Sequence, residues 1–190
     1  MKRLSLHILL LCATLWCMCA CGTSSNIDDY NLAVYTPTYA TGFRIVGAEG
    51  KQSTIIRVTN PWQSANDVET MLFIARAGEK EPAGFRGQVL QGDALRVVCM
   101  SSSHIAMLDA IGAVESVVGV SGIEFISNEY VASHRDKVFD VGPDSDANFE
   151  LVVALDPDIV LLYGVTGACA MENKLRELGI PVAIGHSAEN

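Results

Sequence analysis

The sequence predicts an α/β fold: a three-layer sandwich built on a parallel sheet and preceded by a small strand-rich segment. Three observations predict it. Short apolar runs rich in Val and Ile recur through the second half of the chain, each bounded by Gly, Pro or Ser, as strands buried on both faces are. Helical patterns fill the gaps between these runs. The first half shows β-favouring runs with no clean helical period.

The chain begins with Lys2 and Arg3, followed by an apolar run from Leu4 to Ala20 broken mainly by His7. A positive start, an apolar stretch too short to span a bilayer and small residues at its end are the layout of an export signal. The run closes on Met18-Cys19-Ala20-Cys21, which resembles the lipobox of bacterial lipoproteins. That resemblance implies cleavage before Cys21, lipidation of Cys21 and a place in the cell envelope, anchored to a membrane on its periplasmic or outer-surface side. Residues 1–20 are the expected signal peptide, and the polar stretch after Cys21 begins a tether over 21–33. Of six cysteines, Cys12, Cys17 and Cys19 leave with the signal, so the body keeps Cys99 and Cys169. Neither has a His or Cys at metal-ligand spacing, and both are expected as partly buried thiols.

Net charge is −9. Lys2 and Arg3 carry two of the positive charges, so the rest of the chain stands at −11. An acidic body lacks the clustered cations that a nucleic-acid partner needs.

Residues 34–90 form the strand-rich segment. Ile55, Ile56 and Val58 lie in one run ending at the breaker pair Asn60-Pro61, and Phe43, Ile45 and Val46 form another. The stretch 78–87 reads as loop. Regular alternation starts near residue 94 and continues to 190. Strands are expected at 96–100, 117–120, 138–141, 159–163 and 181–184. In the first gap, Ile105, Leu108 and Ile111 share a face behind an N-cap at Ser102 or Ser103. The second gap, 127–137, has the weakest helical pattern. The third carries Phe149, Val152, Val153 and Leu155 before Asp156-Pro157-Asp158. The fourth carries Met171, Leu175 and Leu178 before Gly179, a helix-ending glycine. The order β-α-β-α-β-α-β-α-β with right-handed crossovers gives a Rossmann-like three-layer sandwich. Ligands of such sheets bind at the carboxyl ends of the strands, here at residues 101–104, 121–124, 142–145, 163–167 and 185–186.

Three stretches carry a resemblance to a family. RVVCMSSSHIAMLDAIGAVESVVGVSG, NFELVVALDPDIVLLYG and KLRELGIPV are similar, in order and spacing, to segments of the substrate-binding proteins of ABC importers for iron-siderophores, haem and vitamin B12. YATGFRIV and VTNPWQ resemble the N-terminal extension of Bacteroides-like members. The resemblance covers residues 96–184. It implies a bilobed protein with the ligand between lobes, of which this chain is expected to hold the N-terminal lobe and one cleft wall. Binding by that wall alone is expected to be weak.

By the same resemblance, Ser102, Ser103 and His104 form the first cleft turn. Ser121 and Gly122 form the second, and Tyr163 and Gly164 end the fourth strand facing the ligand. Tyr163 offers a flat ring and a hydroxyl to a macrocycle or catecholate. Family members dock an ABC permease through a surface Glu near each lobe tip. The matching position here is Cys169, and Glu172, one helical turn on, is the expected substitute. No catalytic residue, metal site or cofactor is expected. Ser102, Ser103 and His104 lack a Gly-x-Ser-x-Gly elbow, and no phosphate-binding glycine loop occurs. An enzyme on a Rossmann-like lobe and a non-transport surface receptor are the alternative functions.

Overall fold

The computed structural model describes residues 25–61, 65–163 and 170–185. The expected signal, Cys21, Gly164 and Cys169 lie outside the described residues. The described residues form two five-stranded sheets.

The first sheet contains β1 (Leu32–Tyr35), β2 (Phe43–Gly47), β3 (Thr54–Thr59), β4 (Glu69–Ala75) and β5 (Gln88–Gln91), in that spatial order. The first four are antiparallel and β5 joins β4 in parallel. Strand β3 covers the Ile55–Val58 run and stops before Asn60, whose φ of 50° ends the extended path. One face of this sheet closes a core of Tyr30, Val46, Ile55 and Phe73, with Tyr30 set edge-on to Phe73 at 5.9 Å.

The second sheet contains β6 (Val97–Cys99), β7 (Val117–Val120), β8 (Phe139–Asp140), β9 (Ile159–Tyr163) and β10 (Val182–Gly185). Its order is β10-β9-β6-β7-β8 and every pair is parallel, as the alternation of strand and helix requires. Alternate residues face two cores. Val97, Cys99 and Ile159 pack under α1 (Ser102–Ala110) and α2 (Glu129–Ser133), through Ile105 and Val131. Val98, Val160 and Leu162 pack on α3 (Phe149–Ala154) and α4 (Ala170–Glu177), through Val152, Met171 and Leu175. Helices therefore cover both faces.

Helix ends follow their local chemistry. Helix α1 is capped by Ser101, not by Ser102 or Ser103: its hydroxyl accepts from the Ser103 N–H. The extended backbone of Ser101 leaves Ser102 free to begin the helix. Asn128 and Asn148 cap α2 and α3. Gly179 (φ 74°) closes α4, with Ile180 N–H bonded to Leu175 O and Gly179 N–H to Arg176 O. Gly112 ends α1 by the same pair of bonds, which leaves Ile111 past the helix and exposed instead of on the expected apolar face. Val153 and Leu178 are also exposed.

The two sheets meet at their edges. The Gln88 amide of β5 donates to Val182 O (2.7 Å) and its oxygen accepts from Val182 N–H (2.8 Å). A single side chain thus occupies the outward-facing donor and acceptor of edge strand β10. Leu72 of β4 packs on the Val97–Cys99 core nearby. At the amino end of the parallel sheet, Asp158 Oδ2 accepts from the N–H groups of Leu95 and Arg96 (both 2.8 Å). The Arg96 guanidinium in turn reaches the terminal carbonyls of α3 at Leu155 and Asp156, where a cation offsets the helix dipole.

Candidate functional site: a groove at the carboxyl ends of the parallel strands

Strand order reverses at β6, which connects onward to β7, while β9 connects to β10 on the other side. This places a topological switch point between β6 and β9, where open parallel sheets bind ligands. The loop after β6 carries Ser101, Ser102 and Ser103 to that edge.

A groove of about 780 Å³ opens beside this loop, between α1 and residues 125–128. Ser102 and Ser103 line it with Ala106, Asp109, Phe125 and Asn128. Phe125 is 92% exposed, so a large ring stands uncovered at the rim. Asn128 does two things: its oxygen caps α2, and its amide donates to Asp109 Oδ2 at 2.8 Å, tying α2 to α1 across the floor. Among the described residues, no Lys or Arg lines the groove.

Ser121 and Gly122 lie behind the rim. The Ser121 N–H donates to Cys99 O at 3.2 Å. Gly122 adopts φ 65°, and a Cβ there would meet the Phe125 ring at 3.2 Å, so this glycine sets the ring's position. Asp140 of β8 holds the loop: its carboxylate accepts from the N–H groups of Gly122 (3.0 Å), Ile123 (3.1 Å) and Gly142 (2.9 Å). Partial burial pushes its pKa up, but those three N–H donors and Arg135 outweigh it and hold the carboxyl below the usual carboxylate range. Tyr163 ends β9, 44% exposed, and is not part of the groove lining.

Two expected site residues are placed differently. His104 is turned inward and is 5% exposed. It sits on the face of α1 that packs on the sheet, beside Ile105. Burial lowers its pKa, partly offset by a hydrogen bond to the Leu161 backbone, and its Nδ1 has no hydrogen-bond partner. The ring lies beneath the wall, not on it. Glu172 is not a free surface carboxylate: it is buried, and its Oε1 accepts from Arg176 Nη2 (2.6 Å) and Nε (2.9 Å). The i,i+4 spacing that puts Arg176 on the same helix face draws the carboxylate down against it. Cys99 is fully buried, which pushes its thiol up to about 12 and leaves it inert.

Phe125, Asn128 and Asp140 went unremarked in the sequence, yet each had a signal. An aromatic residue in the loop that follows the 117–120 run marks the rim at Phe125. An aspartate inside the apolar run 138–141, followed by glycine, marks the loop clamp at Asp140.

Parts of this chain are similar to known proteins. Residues 97–188 match the family model described as periplasmic binding protein. An uncharacterized lipoprotein of Methanocaldococcus jannaschii is 31% identical over 110 residues, which is 53% of this chain and 26% of that protein. Among solved structures, a periplasmic haem binding protein from Pseudomonas aeruginosa shares 23% identity at a TM-score of 0.40, covering 50% of this chain and 32% of its own. A periplasmic vitamin B12 binding protein of Vibrio cholerae shares 19% identity at 0.37, covering 48% and 34%. An ABC-type Fe3+-hydroxamate transport system protein from Saccharomonospora viridis shares 23% at 0.36, covering 67% and 38%. This chain spans 26% of the length of the lipoprotein and 32 to 38% of these three structures. The match to the periplasmic binding protein family thus takes in residues 97–188, just under half of this chain.

Proposed function

We propose that this chain is a solute-binding lipoprotein of an ABC importer, anchored through Cys21, which captures an iron chelate, haem or a corrinoid for a membrane permease. The observation that carries the reading is the family match over 97–188, the segment that supplies every residue lining the groove. Ser102 and Ser103 supply hydroxyls on the wall, Phe125 a ring for stacking, and Gly122 the turn that aims it. Tyr163, at the end of β9, would offer a second ring to the ligand outside the groove lining, and Gly164 lies outside the described residues. His104 supports the turn from below. Permease docking falls to residues other than Glu172.

Lining chemistry favours some ligands over others. With Asp109 present and no Lys or Arg among the described groove residues, a polyanionic ligand would meet negative charge there. A ferric hydroxamate or cobalamin fits better than the propionates of haem. Calorimetry of the chain with ferric hydroxamate, cobalamin and haem tests this. The expected result is saturable but weak binding, on the order of 10–100 μM, strongest for one of the first two and reduced about tenfold by Phe125→Ala. No binding of any of the three, or binding indifferent to both Phe125→Ala and Tyr163→Ala, would remove the reading.

A further inference from the structure

The N-terminal sheet carries an apolar face that the binding groove does not use. On β1, the pairing Ala33↔Val46 is followed by Tyr35↔Ile45. Val34 is therefore an extra residue, a β-bulge, and the alternation of faces slips there. A Cβ on Gly47 would touch Val34 Cγ2 at 3.0 Å, and Tyr35 stacks on Phe43 at 6.2 Å. Val34 and Tyr35 thus project to the same side, the face opposite the Val46 and Ile55 core. Leu32, Val34 and Tyr35 are each at least half exposed, and Tyr39 in the following loop is 95% exposed. An aliphatic cluster flanked by tyrosines suits a bilayer interface.

What covers this face follows from where the chain leaves the fold. Residues 25–30 are fastened to the body: the Ala83 N–H donates to Ser25 O (2.8 Å), the Ile27 N–H to Ala83 O (2.9 Å), and Tyr30 is buried. Only three residues separate Cys21 from Ser25, a reach of roughly 14 Å when fully extended. Ser25 and Leu32 border the same shallow depression. A lipid on Cys21 would therefore enter the bilayer next to β1.

We infer that the outer face of β1, with Leu32, Val34, Tyr35 and Tyr39, rests on the membrane interface beside the lipid anchor, so that the body is held in one orientation and does not swing on a long tether. This rests on the lipoprotein reading of Cys21. Asp28 and Asp29 lie close by, so attraction to anionic lipid does not drive the contact. Apolar burial does, helped by the high local concentration that a short tether creates.

The test is hydrogen–deuterium exchange of the acylated chain on phosphatidylcholine–phosphatidylethanolamine vesicles, against the Cys21→Ser chain in solution. Amides of residues 31–43 should exchange roughly fivefold or more slowly on vesicles, with 78–87 and 144–146 unchanged. The double variant Val34→Thr, Tyr39→Ser, still retained on vesicles, should lose that protection. Full vesicle retention with identical exchange at 31–43 overturns the docking and leaves the anchor standing. Failure of the acylated chain to be retained overturns the anchor and this inference with it. Protection that appears in the Cys21→Ser chain as its concentration rises assigns the face to a second copy and also overturns the proposal.

Discussion

Replacing Gln88 should loosen the junction between the two sheets by an amount that can be worked from its contacts. Its amide makes two hydrogen bonds, 2.7 and 2.8 Å, to the carbonyl and N–H of Val182. Each is worth about 0.5–1.5 kcal/mol net. In Gln88→Ala both go, and Val182 is only 4% exposed, so water replaces the amide poorly and the stripped groups cost about 1 kcal/mol more. The total is about 2–4 kcal/mol, or a fall in Tm of roughly 5–15 °C for a body of this size. Gln88→Glu sharpens the test. A carboxylate accepts from the Val182 N–H but faces the Val182 carbonyl with no proton to give, so at pH 7 it should be at least as damaging as alanine. Protonation restores a donor, so the gap between Gln88→Glu and the parent should narrow as pH falls toward about 4. Thermal unfolding followed by circular dichroism, with exchange of the Val182 amide as a local probe, reads both effects. A Tm within about 2 °C of the parent for Gln88→Ala, or a pH-independent gap for Gln88→Glu, would refute the clamp.

Two further perturbations probe the parallel sheet. Gly119 of β7 lies under α3, where a Cβ would meet Leu155 Cδ1 at 2.9 Å and the side chains of Val141 and Val98 at 3.1 Å. Gly119→Ala should cost about 1 kcal/mol and Gly119→Val about 3 kcal/mol in urea unfolding, and a stabilised alanine variant would mean that α3 yields freely. The depressed pKa of His104 sets a pH dependence: between its folded pKa and the ordinary 6.5 the unfolded chain binds the proton and the folded chain does not. Its contribution is therefore complete above pH 6.5 and lost as pH falls through the folded value. Tm should drop across that window, and His104→Gln should flatten the slope.

The sequence was most legible where one physical demand acted alone. Strands at 117–120 and 159–163 are found at the bounds their apolar runs set, because strands buried on both faces need unbroken hydrophobicity and the flanking Ser121 and Asp156-Pro157-Asp158 cannot continue it. Strand β4 was not legible as a separate element for the opposite reason. Phe73 packs in its own sheet's core while Leu72 packs on the neighbouring sheet, so the stretch Met71–Ile74 shows no alternation to read. The site was half legible. Ser102 and Ser103 reached the groove because the end of β6 dictates it. The inward turn of His104 and the burial of Glu172 depend on Leu161 and Arg176. Such partners are visible only once the helices are placed on the sheet.

The strand order also dictates when each part of the molecule can form. The N-terminal sheet is largely a meander of neighbours in sequence, so its hairpins can close early and at low loop-closure cost. The parallel sheet cannot. Its central strand β6 arrives first but must wait for β9, some sixty residues later, to cover its second edge. Among the described strands β10 is latest in sequence, and its outer edge meets Gln88 across 94 residues of chain. As the chain folds, the first sheet can thus stand formed with the Gln88 amide unoccupied until β10 is in place. Strand β10 is then the one that joins the two sheets, so a chain cut before Val182 would show two independent melting units where the chain that includes β10 shows a single transition.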